Sequence, residues 1–451
     1  MHETNRRGFL KTAMVSGFTV WVGQRAWGQD NKSPNNQISI ACIGLGGKGE
    51  SDTADANTYG NVVAICDVDI NTLASAAKKY PKAKQYSDYR KMLDEMGKQI
   101  DAVTVSIPDH SHTPAAAMAM HLGKAVYCQK PLAHSIYEVR HLAELARKQK
   151  VATQMGNQGT ADNSMRLNAY KVRAGALGTV TEVHVWTNRP VWPQGIARGA
   201  TKSVPSNLDW DLWIGPAKMR PYSDNYHTFN WRGWWDFGTG ALGDMACHDV
   251  NLPFMALNLR DPLSVQAETS THNRDSYPKA SQIVFEFGAH QGRPPVTMTW
   301  YDGGNRPSLD HFQEAGFAEL IDNNKLPTSG SLIVGTKGKL YSPGDGGAGG
   351  HIVGGMDVGK VEFPFSPGHW EEFIGAIRSS DPLDPKNRAM SNFPDYAGPL
   401  AETILLGNLA IWPADKGKGP KVMWDAKHMR ANGASDLASI IKPTYRAGYS
   451  L

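Results

Sequence analysis

The run Gly44-Leu45-Gly46-Gly47-Lys48-Gly49 follows directly on the apolar stretch Ile38 to Ile43. Glycines at the first, third and sixth positions allow a tight turn, close approach of a diphosphate to the backbone, and packing of the next helix. Asp67 lies 18 residues beyond Gly49, at the end of the next apolar run, Val62 to Cys66. A carboxylate at that place accepts from ribose hydroxyls and repels a 2′-phosphate. Val68-Asp69 follows it, without an Arg, so the pattern points to NAD over NADP. Gly44, Gly46, Gly47, Lys48, Gly49 and Asp67 are therefore the expected cofactor contacts.

Lys130 stands just beyond the apolar run Ala125 to Cys128, at the strand rim where doubly wound sheets bind ligands. An amine there can take the proton of an alcohol as hydride leaves its carbon. Asp244 and His248 are four residues apart, so on a helix they share one face. His248 reads as a second acid/base or a hydrogen-bond donor to substrate, with Asp244 orienting it or binding a hydroxyl. The same spacing suits a metal, but no third ligand stands out, and none is expected.

These groups need elements to hold them. Strand-like runs at Ile38–Ile43, Val62–Cys66, Ala102–Ile107, Ala125–Cys128 and Val151–Gln154 alternate with helical stretches at Asn71–Lys79, Thr113–Leu122 and Ser135–Lys148. Such alternation predicts an α/β fold, with an N-terminal doubly wound parallel sheet over residues 37–155. Strands then follow in succession at Leu263–Ser270, Ser281–Phe287, Val296–Tyr301 and Leu332–Tyr341. Residues 156–451 are thus expected to form an α+β domain with a large, mostly antiparallel open sheet. The glycine-rich residues 343–355 read as a mobile surface loop, and Trp370–Arg378 and Tyr396–Leu409 as helices closing that domain.

Residues 1–28 read as an address: Arg6-Arg7-Gly8-Phe9-Leu10-Lys11, a short apolar stretch, and a small-residue site at Ala26-Trp27-Gly28. This predicts a twin-arginine signal peptide, a linker over 29–36, and a folded protein exported to the periplasm. The apolar stretch falls well short of the ~20 residues that span a bilayer, so no span is expected in the mature protein. The 451 residues carry a formal charge of +4, which falls to +1 when residues 1–28 are set aside. That balance gives no footprint for nucleic acid or an anionic membrane. Four cysteines are too few for a disulfide framework.

Val103 to Pro108, His112 and the run Gly123 to Leu132, with Gln129-Lys130-Pro131 inside it, resemble the Gfo/Idh/MocA oxidoreductases. The family tripeptide is Glu-Lys-Pro, so Gln129 replaces a carboxylate. Asp244-Met245-Ala246-Cys247-His248 is similar to the family's motif in the second domain. The resemblance implies a Rossmann domain plus an α/β domain whose open sheet forms a homo-oligomer face. It also implies a nicotinamide-side loop at Pro108 and His112, with Gln129 beside the cofactor. The segment Phe229 to Gly240 looks like exported members from sugar-degrading bacteria. Amides Asn157 and Gln158, and Trp231, Arg232 and Trp235, suit carbohydrate hydroxyls and faces. Arg166 and Arg173 read as solvated helix charges. Two functions are open: a dehydrogenase acting on a sugar hydroxyl, and a glycosidase or lyase that oxidises transiently, eliminates and re-reduces with no net cofactor turnover.

Overall fold

The computed structural model describes residues 37–321 and 325–451. The signal peptide and linker expected over 1–36 lie outside the described residues. Strands β1 (Ser39–Ile43), β2 (Asn61–Cys66), β3 (Lys84–Tyr86), β4 (Ala102–Val105), β5 (Ala125–Cys128) and β6 (Thr153–Met155) form a parallel sheet in the order β3-β2-β1-β4-β5-β6. Helices α1 (Lys48–Tyr59), α2 (Ile70–Lys79), α3 (Tyr89–Met96), α4 (His112–His121) and α5 (Ile136–Gln149) connect them. The central strands are buried on both faces, which is why β1, β4 and β5 read as unbroken apolar runs. Asp69 caps α2 by accepting from Asn71 and Thr72, and Ser135 caps α5 by accepting from Glu138. The order reverses between β1 and β4, so the crevice at their C-terminal ends is the switch point of the sheet.

The chain continues through α6 (Asn163–Arg173), β7 (Val180–Trp186), α7 (Trp210–Ile214), α8 (Gly240–Asp249) and α9 (Asn251–Leu257). It goes on through β8 (Ser264–Thr269), β9 (Ser281–Phe287), β10 (Val296–Tyr301), β11 (Gly330–Gly335), β12 (Gly338–Pro343) and β13 (His351–Gly354). The last elements are α10 (His369–Arg378), α11 (Gly398–Ile411), β14 (Val422–Asp425), β15 (Arg430–Asn432) and α12 (Leu437–Ile441). These nine strands make one sheet, β13-β12-β11-β7-β10-β9-β8-β14-β15, antiparallel except for the β7–β10 pair. Val183, Val185, Ile283, Phe285, Met298 and Trp300 point inward to a core shared with α8, α9 and α11. The alternate residues face outward. Residues 302–321 fold back over part of that outer face, burying Phe312 and Phe317 against Trp186 and Tyr341.

Three expectations are corrected. Leu332–Tyr341 is not one strand but the hairpin β11–β12, turning at Thr336-Lys337. Residues 343–355 are not a free loop: they contain β13, and Gly346 donates to Asp249 at 3.3 Å. Helix α10 does not close the second domain alone. It returns to the first sheet, where Trp370 and Phe373 join the core of Ile40, Val62 and Tyr127. Among the described residues no helix is long and apolar enough to cross a membrane.

Candidate active site

Gly44 leaves β1 with φ +83°, and a Cβ there would collide with the Ser106 carbonyl at the end of the neighbouring strand. A Cβ on Gly49 would strike the Gly44 carbonyl, so α1 can start this close to the strand only without one. Asp67 sits at the tip of β2, where Oδ2 accepts the Leu45 N–H at 2.9 Å and Oδ1 accepts the Asp69 N–H at 2.9 Å. Burial raises its carboxyl above the usual range, and the two N–H groups partly offset this. Gly44, Gly46, Gly47, Lys48, Asp67, Pro108, Gln129 and Lys130 line a cavity of about 480 Å³. The glycine cradle and the ribose-side carboxylate are the donor set and shape that a dinucleotide needs.

The second domain supplies the facing wall through Trp213, His227, Phe229 and Trp231. It is stitched to the Rossmann rim beside Asp67. The Asp209 N–H donates to the Val68 carbonyl at 3.0 Å, and the Ile70 N–H donates to the Asn207 carbonyl at 2.9 Å. The Asn207 amide adds a bond to Asp69 Oδ2 at 2.9 Å.

Gln129 is held by a residue that no motif singled out. Its Nε2 donates to Asp52 Oδ2 at 2.8 Å, and Ser106 Oγ donates to the same oxygen at 2.7 Å. Asp52 is fully buried on α1, and Lys48 Nζ reaches its other oxygen at 2.5 Å. A carboxylate at position 129 would therefore face a second one. An amide is the group that fits.

Lys130 projects from the end of β5 and donates to Asp244 twice, to Oδ1 at 2.9 Å and to the backbone carbonyl at 2.7 Å. Arg232 Nε meets the same Oδ1 at 3.2 Å. Burial alone would raise the Asp244 carboxyl, but Lys130 and Arg232, with His248 beyond them, hold it down at about 2. His248 follows one turn later on α8. Burial first, and then the Lys130 charge, lower its ring to about 4, so it is a neutral imidazole at pH 7. The Arg232 guanidinium lies 4.3 Å from the Trp231 ring centre and 4.7 Å from that of Phe229.

A wider groove of about 880 Å³ opens on the other side, lined by Gln158, Arg189, Trp192, His248, Asp345 and His369. Lys48, Gln129, Lys130, Phe229, Arg232 and Asp244 line both spaces. Lys130 and Asp244 thus stand in the wall between the cofactor cavity and the groove, and His248 lines the groove alone.

Some expected site residues lie elsewhere. Asn157 does not face the groove: it is fully buried, and its Oδ1 accepts from Ser391 in the core. Trp235 is buried against Tyr277, with ring centres 3.9 Å apart, and borders a separate cavity. His112 is not at the cavity wall, because its ring bridges the Pro131 and Ile107 carbonyls at 2.8 and 2.7 Å. It shapes the cofactor loop from beneath. Arg166 is not solvated; it is buried on the Glu372 carboxylate at 2.5 Å, and Arg173 donates to the Met255 carbonyl. Asp109 was missed. It lines the cofactor cavity and accepts from Thr239 at 2.7 Å, and burial raises its carboxyl. Its place in Ile107-Pro108-Asp109, just past a strand, was the available signal.

Two models of one oxidoreductase family match this chain. The NAD-binding Rossmann fold matches residues 38–157 and the C-terminal alpha/beta domain matches residues 172–291, together more than half of the chain. The chain belongs to the Gfo/Idh/MocA oxidoreductase family. Its cofactor is NAD. Inositol 2-dehydrogenase of Salmonella paratyphi B is 29% identical over 133 residues, 29% of this chain and 39% of that protein. The match thus spans well under half the length of that relative. A glycosyl hydrolase family 109 protein of Solibacter usitatus is 29% identical over 198 residues, 40% of this chain and 45% of that protein. In fold, this family member is similar to an inositol dehydrogenase homologue from Azotobacter vinelandii, solved with NADH and myo-inositol. The TM-score is 0.55 at 16% identity, over 86% of this chain and 98% of that one.

Proposed function

We propose that this protein is an NAD-dependent oxidoreductase acting on a secondary hydroxyl of a sugar or sugar derivative. The observation that carries this reading is Lys130 on Asp244, in the wall common to the cofactor cavity and the groove. The glycine turn at Gly44–Gly49 and the Asp67 carboxylate hold NAD, which when bound accepts hydride from a carbon and can return it. Lys130 first gives up its resting proton to solvent, then exchanges its Asp244 contact for the substrate hydroxyl and, as a free amine, takes that proton, so no protonated carbonyl has to form. Asp244 stays ionised and stabilises the ammonium that results. Neutral His248 orients the substrate oxygen or takes the proton itself. Arg232, Trp231 and the exposed Phe229 offer the donors and flat apolar faces that sugar rings require.

A second reading is a glycosidase or lyase in which oxidation acidifies the neighbouring C–H. Elimination of the glycosidic substituent follows; in a glycosidase water then adds to the enone before hydride is returned, and in a lyase no water adds and the re-reduced product keeps the double bond. Two features favour it: a second proton-handling group, His248, beside Lys130, and a groove larger than the cofactor cavity, with room for a second ring. The resemblance to a family 109 glycosyl hydrolase agrees with it. Export by the twin-arginine route, read from Arg6 and Arg7, belongs to either version.

The deciding experiment is mass spectrometry of the denatured, purified protein for bound NAD, followed by sugar and glycoside panels. NADH that accumulates with substrate when NAD is supplied supports the dehydrogenase. Sugar release without added NAD and without NADH supports the glycosidase. Neither signal across both panels would overturn the redox assignment.

A further inference from the structure

On the outer face of the large sheet, away from α8 and the cofactor, Glu182 and His184 project from the same side of β7. His311 comes down onto them from the segment that covers this face, and the two imidazole centres are 4.0 Å apart. One ligand atom from each of the three residues lies within 4.8 Å of the others. We propose that Glu182, His184 and His311 form a structural zinc site that fastens residues 302–321 to the sheet.

The residue types are those zinc selects: two imidazoles and a carboxylate, with water completing a tetrahedron. His184 is 3% exposed, and its buried Nε2 has no hydrogen-bond partner even though Glu182 Oε1 stands 3.0 Å away. An unpaired buried nitrogen is costly, and a cation between these groups satisfies it. The other nitrogen, Nδ1, meets the Tyr301 hydroxyl at 3.0 Å. That is the outer contact by which a ligating imidazole is oriented and its tautomer set. Glu182 and His311 are only partly buried, so small side-chain rotations bring all three to the ~2.0–2.2 Å ligand distance. The nearest cation, Lys339, is paired with Glu314 at 2.7 Å and so does not oppose a metal with an unbalanced charge. Lys339 Nζ also donates to the His311 carbonyl at 2.6 Å, which fixes the backbone that carries the third ligand.

The test uses the full-length protein, produced without a histidine tag, stripped with chelator and titrated with zinc sulfate by calorimetry. Thermal melts and cobalt(II) absorption are recorded in parallel. One equivalent is expected to bind and raise the melting temperature, with a cobalt spectrum of low-coordinate N/O ligation. H311A and E182Q, whose side chains are partly exposed, should fold as the stripped wild type does and lose about a hundredfold or more in zinc affinity. Y301F should weaken binding about tenfold through the orientation of His184. Absence of saturable one-to-one binding, or binding undiminished in both H311A and E182Q, would overturn the site.

Discussion

Gln129→Glu restores the carboxylate usual in the family, and here it should be harmful. The Gln129 amide is 2.8 Å from Asp52 Oδ2, and Asp52 is fully buried. Two ionised carboxylates at that separation repel by about 6 kcal/mol at an effective dielectric of 20. Lys48, 2.5 Å from the other Asp52 oxygen, offsets part of this, and taking up a proton relieves the rest. Protonation sets a ceiling. Keeping a glutamic acid neutral at pH 7, against an ordinary pKa near 4.3, costs about 3.7 kcal/mol, and at pH 5 about 1 kcal/mol. The folded-state pKa of the pair is raised above its unfolded value, so the folded protein binds the extra proton. The variant's deficit should therefore be small at pH 5 and should grow as pH rises toward the raised folded pKa. Urea unfolding of wild type and Q129E from pH 5 to 8 measures it, with the gap expected to widen by up to about 4 kcal/mol. D52N/Q129E exchanges amide and carboxylate, and should recover at least half of the loss at pH 7. A Q129E protein as stable as wild type at pH 8, with no dependence on pH, would refute the pairing.

Lys130→Met retains the apolar stem and removes the amine, so turnover at saturating NAD and substrate should fall about a hundredfold or more while cofactor binding persists; near-normal turnover would remove Lys130 from the chemistry. His248→Ala is the companion, and the glycosidase reading requires both losses to be severe. Asp67→Ala should weaken NAD and narrow the preference against NADP in binding titrations, because the carboxylate at the β2 tip is gone. The ring of His248 is lowered to about 4 by burial, so the unfolded chain binds its proton more tightly; stability should drop as pH falls from about 6.5 toward 4, and His248→Gln should flatten that limb in melts. Replacing Arg6 and Arg7 with Lys should leave an uncleaved precursor in the cytoplasm, which fractionation and N-terminal sequencing detect.

What was legible in the sequence was local. The glycine turn, Asp67 and the rim lysine are tied to strand ends by short spacing, and the i,i+4 relation of Asp244 and His248 survives because both lie on α8. Strands Ser281–Phe287 and Val296–Tyr301 have the expected bounds, because alternation on a half-buried sheet marks each residue. β3 escaped because only Tyr86 of its three residues is buried, leaving no period to read. The hairpin at Thr336-Lys337 was hidden because its turn is only two residues long and the apolar pair Leu340-Tyr341 resumes soon after Leu332 to Val334. Asn157 and Trp235 suit carbohydrate in type, but their burial is settled by distant partners, Ser391 and Tyr277. The Asp52–Gln129 bond joins residues 77 apart, a relation that no pattern within either segment encodes.

The stitching at Val68-Asp69-Ile70 and Asn207-Asp209 has a kinetic consequence. Those hydrogen bonds join the domains where Val68 and Asp69 line the cofactor cavity, so a dinucleotide leaving past this rim would require the two domains to part there. If each of the three bonds is worth about 1 kcal/mol net, breaking them together slows departure by roughly a hundredfold. The residence time of a nucleotide leaving by this route would then depend on a protein latch. Under the export proposed above, a chain filled before it leaves would lose its nucleotide more slowly for this latch.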